Sequence, residues 1–208
     1  MSARVARAGA AVLGTLGRAG VRLIDALISR RLGVFAYCRD QDCLLKVAPS
    51  RTDKEVVLAL GRRLPPGAPV LELHLWNERL SVLEGERGGL AFGAALARRV
   101  RLSLQALAAY LEDTDPQGRI AALHGEMGFI PAPEMREAEA LLCHLGFEVR
   151  PGEVAGLRFW RAAFWRTLFS WWLMWTFGPR SLHGRRLREM ARVEVWMDRE
   201  TLRRLYAS

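Results

Sequence analysis

An α+β fold, a single domain with helices packed on one mixed β-sheet, is what this chain predicts. Three observations carry the expectation. Segments with the two-residue alternation of strands are interleaved with segments of helical periodicity. Half of the 208 residues are hydrophobic, enough for a real core, which excludes a disordered or fibrous chain. Neither an internal repeat nor a low-complexity linker divides the sequence. The expected organisation is a basic amphipathic helix within residues 1–36 and an α+β domain over 37–208, which includes an aromatic-rich helix at 158–178.

Ser2 to Arg31 has the pattern of the amphipathic helix. On a helical wheel Arg4, Arg7, Arg18, Arg22 and Asp25 share one narrow sector. Val12, Leu13, Leu16, Leu23, Ile24, Leu27 and Ile28 fill the opposite half. Gly9, Gly14, Gly17 and Gly20 each weaken the helix by about 1 kcal/mol against alanine, so it needs a surface to fold on. The protein body and a membrane are equally eligible surfaces. The short, weakly apolar stretch between Arg7 and Arg18 fits a signal peptide poorly.

Next, Cys43–Ala48 and Glu55–Leu60 read as short strands separated by a Ser-Arg-Thr-Asp turn. Pro65-Pro66-Gly67 punctuates the chain before the clearest strand, Val70–Trp76. In it Leu71, Leu73 and Leu75 face one way, and Glu72, His74 and Trp76 the other. Asn77 and Glu78 close that strand. A glycine-bearing loop at 85–89 leads into a long helix, about Leu90 to Glu112, with the core-facing stripe Leu96, Val100, Leu104, Leu107 and Leu111. The loop lacks the GK[ST] ending of a phosphate-binding loop. Residues 119–129 read as a strand, 133–145 as a helix ended by Gly146, and 147–150 as a strand. After the aromatic helix and an Arg-rich connection at 180–188, a strand over 193–197 and a helix over 198–206 close the chain, with Asp198 as N-cap.

The net charge of +9 is uneven. Residues 1–36 carry six Arg and one Asp, 37–150 fourteen basic and sixteen acidic groups, and 151–208 eleven Arg and five acids. The excess therefore belongs to the two ends, which points to an anion-facing surface around a near-neutral body. The aromatic helix adds to this. Trp160, Phe164, Leu168, Trp171 and Trp175 form one stripe, Trp172 lies beside it, and Arg158, Arg161 and Arg166 lie off it. Such a helix is packed in the core, set in a membrane interface, or lines a groove for an apolar ligand. The uncharged stretch Thr167–Pro179 falls short of the roughly 18–20 apolar residues that a membrane span requires.

Chemistry is sparsely signalled. Cys38, Cys43 and Cys143 form no CxxC pair and read as reduced structural thiols of a cytosolic compartment, with no metal or cofactor expected. His124-Gly-Glu126 matches half of the zinc-deaminase signature, and the other half is missing. No nucleophile signature occurs, and the acetyltransferase pyrophosphate loop is absent. What remains is two strand pairs, Glu72 with His74 and His124 with Glu126. If their strands are neighbours, the four groups form one polar patch suited to acid–base work or a metal; the alternative is a solvated or hydrogen-bonded polar sheet face.

The strand LELHLWN (71–77) and the long helix after it, with LLCHLGFEV (141–149), the aromatic segment and VEVWMDRETLRRLY (193–206), resemble the bacterial YkoP-like family over most of the chain. His74 and Asn77 match the polar positions of its most recognisable strand motif. The resemblance implies no established activity. It does imply an envelope-associated setting, since related modules are appended to polysaccharide-deacetylase-like proteins. No deacetylase domain is present here, so none of that chemistry is expected.

The functional expectation is an accessory protein, non-enzymatic or with a binding role, in envelope glycolipid or polysaccharide metabolism. It would be cytoplasmic and peripheral to the inner face of the cell membrane, partnered by an anionic surface or a lipid-like ligand. The alternative is an enzyme acting on a lipid-linked or sugar substrate through Glu72, His74, His124 and Glu126. Nucleic-acid binding ranks last, because charge and aromatics alone support it.

Overall fold

The computed structural model describes residues 2–59, 61–86, 89–131, 135–151 and 190–207, with Leu168, Phe169, Trp172, Leu173 and Thr176. The chain begins with α1 (Ser2–Arg31), β1 (Leu45–Arg51), the two-residue strands β2 (Val56–Val57) and β3 (Arg63–Leu64), β4 (Pro69–Leu75) and α2 (Asn77–Glu86). It continues with α3 (Gly89–Thr114), β5 (Ala122–Pro131), α4 (Met135–His144), β6 (Glu148–Pro151), β7 (Met190–Asp198) and α5 (Arg199–Tyr206). Five strands form a mixed sheet in the order β1-β4-β5-β7-β6. β4 and β5 run parallel, and the other neighbours are antiparallel. The fold is the expected α+β domain.

The sheet has two unlike faces because each strand alternates. Leu71, Leu123, Val195 and Met197 point to one side, where they meet Leu104, Leu107 and Leu111 of α3, Leu142 of α4, and Leu202 and Tyr206 of α5. The stripe expected on α3 is thus the core stripe. Leu104 and Leu107 are fully enclosed, each contributing up to about 3 kcal/mol. On the other side β2 and β3 cover one end, packing Val56, Leu58 and Leu64 on Val70, Ala122 and Trp196.

Two joints hold α5 to this core. Asp198 caps it as expected, accepting from Thr201 N at 2.9 Å and from the Thr201 hydroxyl at 2.7 Å. Arg199 reaches the end of α3, donating to the Asp115 carboxylate at 2.5 Å and to the Asp115 carbonyl at 2.6 Å. Gly146 ends α4 with φ of 86°, and Phe147 N donates back to Leu142 O at 3.0 Å.

Some expected boundaries move. Among the described residues 55–59 only the short β2 forms, and it pairs with β3 rather than with the main sheet. β5 starts at Ala122, not at 119, because the Asp115 carboxylate accepts from the N–H groups of Arg119 and Ile120 and holds that stretch in a turn. Asn77 and Glu78 do not merely close a strand: they open α2, where Arg79 N and Leu80 N both donate to Trp76 O. The α2 sequence has little apolar periodicity, which hid the helix.

Candidate functional site

Strand alternation places Glu72, His74, His124 and Glu126 on the face opposite the core. The parallel pairing then sets Glu72 directly opposite His124. The two strand pairs singled out from the sequence therefore sit on adjacent strands. Within β4 the His74 Nε2 stands 4.0 Å from the Glu72 carboxylate. Between His124 and Glu126, Gly125 turns to the core side, where a Cβ would meet Val195 Cγ2 at 3.2 Å. A glycine at that position keeps the two polar residues in register without crowding Val195.

The flanking strands add groups that the sequence reading missed. Trp196 of β7 pairs with His124, and the two rings stack with centroids 4.2 Å apart. Lys46 of β1 pairs with His74, and its ammonium lies over the Trp76 ring, 4.4 Å from the centroid. Glu148 of β6 pairs with Trp196 and is bridged to Arg150 at 3.1 Å. Alternation in VEVWMD does place Trp196 opposite the apolar Val195 and Met197. What the sequence lacks is any sign that β7 lies beside β5.

The environment moves two of these groups towards their neutral forms. Burial raises the Glu72 carboxyl above its ordinary value, with His124 pulling it back and Glu126 pushing it further up. Burial lowers the His74 imidazole, and the Lys46 ammonium adds to that. His74 Nε2, His124 Nε2 and Trp196 Nε1 are all buried without a hydrogen-bond partner among the described residues. Among those residues no group of three or more His, Cys, Asp or Glu side chains is placed to hold a metal.

A second feature is the docking of α1. Val21 is buried, and the half-buried Asp25 accepts a hydrogen bond from the Asn77 side chain, near Lys46 and Glu78. Asn77, taken from the sequence as a motif residue, thus holds α1 to the start of α2. Among the described side chains of α1 the apolar half faces away: Leu23 is 62% exposed, Leu27 58%, Ile24 43% and Ile28 40%. A helix docking on a body for its own stability turns its apolar side inwards. This one presents it to the surroundings.

Trp160, Phe164, Trp171, Trp175, Arg158, Arg161 and Arg166 lie outside the described residues. Trp172 is described, helical and 42% exposed, and Thr176 one turn later is buried. No helix among the described residues is long and apolar enough to cross a membrane.

No curated protein and no solved structure matches the chain. A family model, the YkoP domain, matches residues 39–206, from just before β1 to the end of α5, with the whole polar sheet face inside it and α1 ahead of it. The chain belongs to the YkoP domain family.

Proposed function

We propose that this protein is peripheral to the inner face of the cell membrane. In this reading α1 lies on an anionic leaflet, and the YkoP domain has an accessory, binding role in envelope glycolipid or polysaccharide metabolism. The observation that carries the membrane contact is the orientation of α1, with Asp25 held to the body and Leu23, Ile24, Leu27 and Ile28 turned outwards. Each such side chain placed in hydrocarbon contributes up to roughly 1.5–3 kcal/mol, and each arginine near an anionic surface about 1 kcal/mol. Of the six Arg of residues 1–36, Arg30 and Arg31 in the last turn of α1 fall on the leucine side and supply that charge. The exposed Trp172 is compatible with a second contact. The envelope pathway itself rests on the family setting alone.

The test is sedimentation of the full chain with vesicles. Binding to phosphatidylglycerol-containing vesicles at low salt, weaker on neutral vesicles, is expected. A chain that stays in the supernatant with both ends this reading.

A second reading is an enzyme acting on a lipid-linked or sugar substrate, favoured by the alignment of Glu72 with His124 and the nearness of His74. It predicts turnover of a lipid-linked saccharide extract, seen by mass spectrometry and abolished by Glu72→Gln. Equal product from both proteins removes it.

A further inference from the structure

Three buried ring nitrogens without partners on one sheet face are costly. Each buried polar group left unpaired costs about 1–3 kcal/mol, and native structures rarely leave them so. His74 Nε2, His124 Nε2 and Trp196 Nε1 are such atoms among the described residues. Trp196 is 5% exposed, so its indole N–H has little access to bulk solvent. The same patch is not sealed, because the Glu72 and His74 side chains keep 33% and 28% of their surface exposed. The 4.0 Å gap between His74 Nε2 and the Glu72 carboxylate is too long for a hydrogen bond and is one that a small bridging group spans.

The mixture of groups selects the chemistry of a ligand. An indole N–H only donates, so the ligand must offer an acceptor there. A carboxylate only accepts, so beside it the ligand must offer a donor. A neutral imidazole nitrogen takes either role, and a protonated one donates. Adjacent hydroxyls satisfy all three, since each both donates and accepts. A metal ion fits badly, because an indole N–H is no ligand and no three-ligand group exists among the described residues. A phosphate fits badly as well. Glu72 and Glu126 repel it, the Lys46 ammonium is engaged over Trp76, and Arg150 is bridged to Glu148.

We infer that the sheet face at Glu72, His74, His124 and Trp196 is a binding site for a neutral ligand with neighbouring hydroxyl groups, a sugar ring or a polyol. The site does not depend on membrane contact by α1, nor on turnover, so it stands or falls apart from both readings above.

The experiment is nitrogen-15 NMR of the full chain without vesicles. The Trp196 indole N–H is identified by its loss in Trp196→Phe. Methyl glucoside, methyl galactoside, methyl mannoside and inositol are titrated separately, with inorganic phosphate as the anionic control. The expected result is a saturable shift of the Trp196 signal with at least one hydroxylated probe and none with phosphate. Glu72→Gln, at a side chain that keeps 33% of its surface exposed, should weaken that binding by roughly tenfold. No shift at Trp196 with any hydroxylated probe overturns the proposal, as does a response to phosphate alone. A shift that Glu72→Gln leaves unchanged overturns it too, because the contact is then elsewhere.

Discussion

Glu72 on β4 stands directly opposite His124 on β5, in the parallel register that brings two unremarkable strands into one polar face. The carboxyl is held above its ordinary value by burial, against the pull of His124 and with the push of Glu126. His124→Gln should therefore raise the Glu72 pKa further, and Glu126→Gln should lower it, both readable by carbon-13 NMR of the carboxyl. A folded value above the unfolded one favours the folded state in acid, and this contribution fades as pH rises through the folded value. Glu72→Gln should flatten that part of the stability profile. A Glu72 pKa that falls in His124→Gln, or rises in Glu126→Gln, would break the link between these groups.

The outward apolar half of α1 gives a separable prediction. Leu23→Glu combined with Leu27→Glu should leave urea-unfolding stability within about 0.5 kcal/mol, because both positions are exposed. Vesicle partitioning should fall by roughly a hundredfold or more, the equivalent of losing two inserted leucines. Unchanged partitioning would move the membrane contact off this helix.

Arg199 and Asp115 form the strongest polar joint between α3 and α5, at 2.5 Å, with both side chains largely buried. Burial alone raises the Asp115 carboxyl, yet the N–H groups of Ile120 and Arg119 and the Arg199 guanidinium overcome it, and its pKa lies below the ordinary range. A depressed pKa contributes stability above the unfolded value, near pH 4, that is lost as pH falls through the folded value. Arg199→Ala leaves the carboxylate without its charge partner and should cost about 3–5 kcal/mol in urea unfolding. Asp115→Asn should remove the corresponding acid-limb slope. A cost below about 1 kcal/mol for Arg199→Ala would mean the joint is dispensable.

The turn after α4 is constrained twice over. Gly146 has φ of 86°, and a Cβ there would come within 2.6 Å of Leu205 Cδ1 on α5. Gly146→Ala should destabilise by more than about 1 kcal/mol, from backbone strain and the displaced leucine together. Asp198→Ala, which removes the α5 cap, should cost about 1–2 kcal/mol. Thermal unfolding of each variant decides both; a neutral Gly146→Ala would show that Leu205 yields freely.

The amino-acid order alone determined the local choices. Alternation in VLELHLW put Glu72 and His74 on one side of a strand, the leucine stripe of α3 marked its buried side, and Asp198 announced a helix start. These follow from neighbours a few residues apart, where strand and helix periods act directly. Partner strands were decided elsewhere. That β5 lies parallel to β4, and that Trp196 of β7 stacks on His124, depends on packing between residues that stand 52 and 72 positions apart, which no local period encodes. The direction of α1 was likewise beyond the wheel diagram. The wheel separated its charged and apolar halves, but the bond between Asp25 and Asn77 selected which half meets the body. A half-buried polar contact and a hydrophobic stripe compete for the same surface, and tertiary placement settles which of them is satisfied.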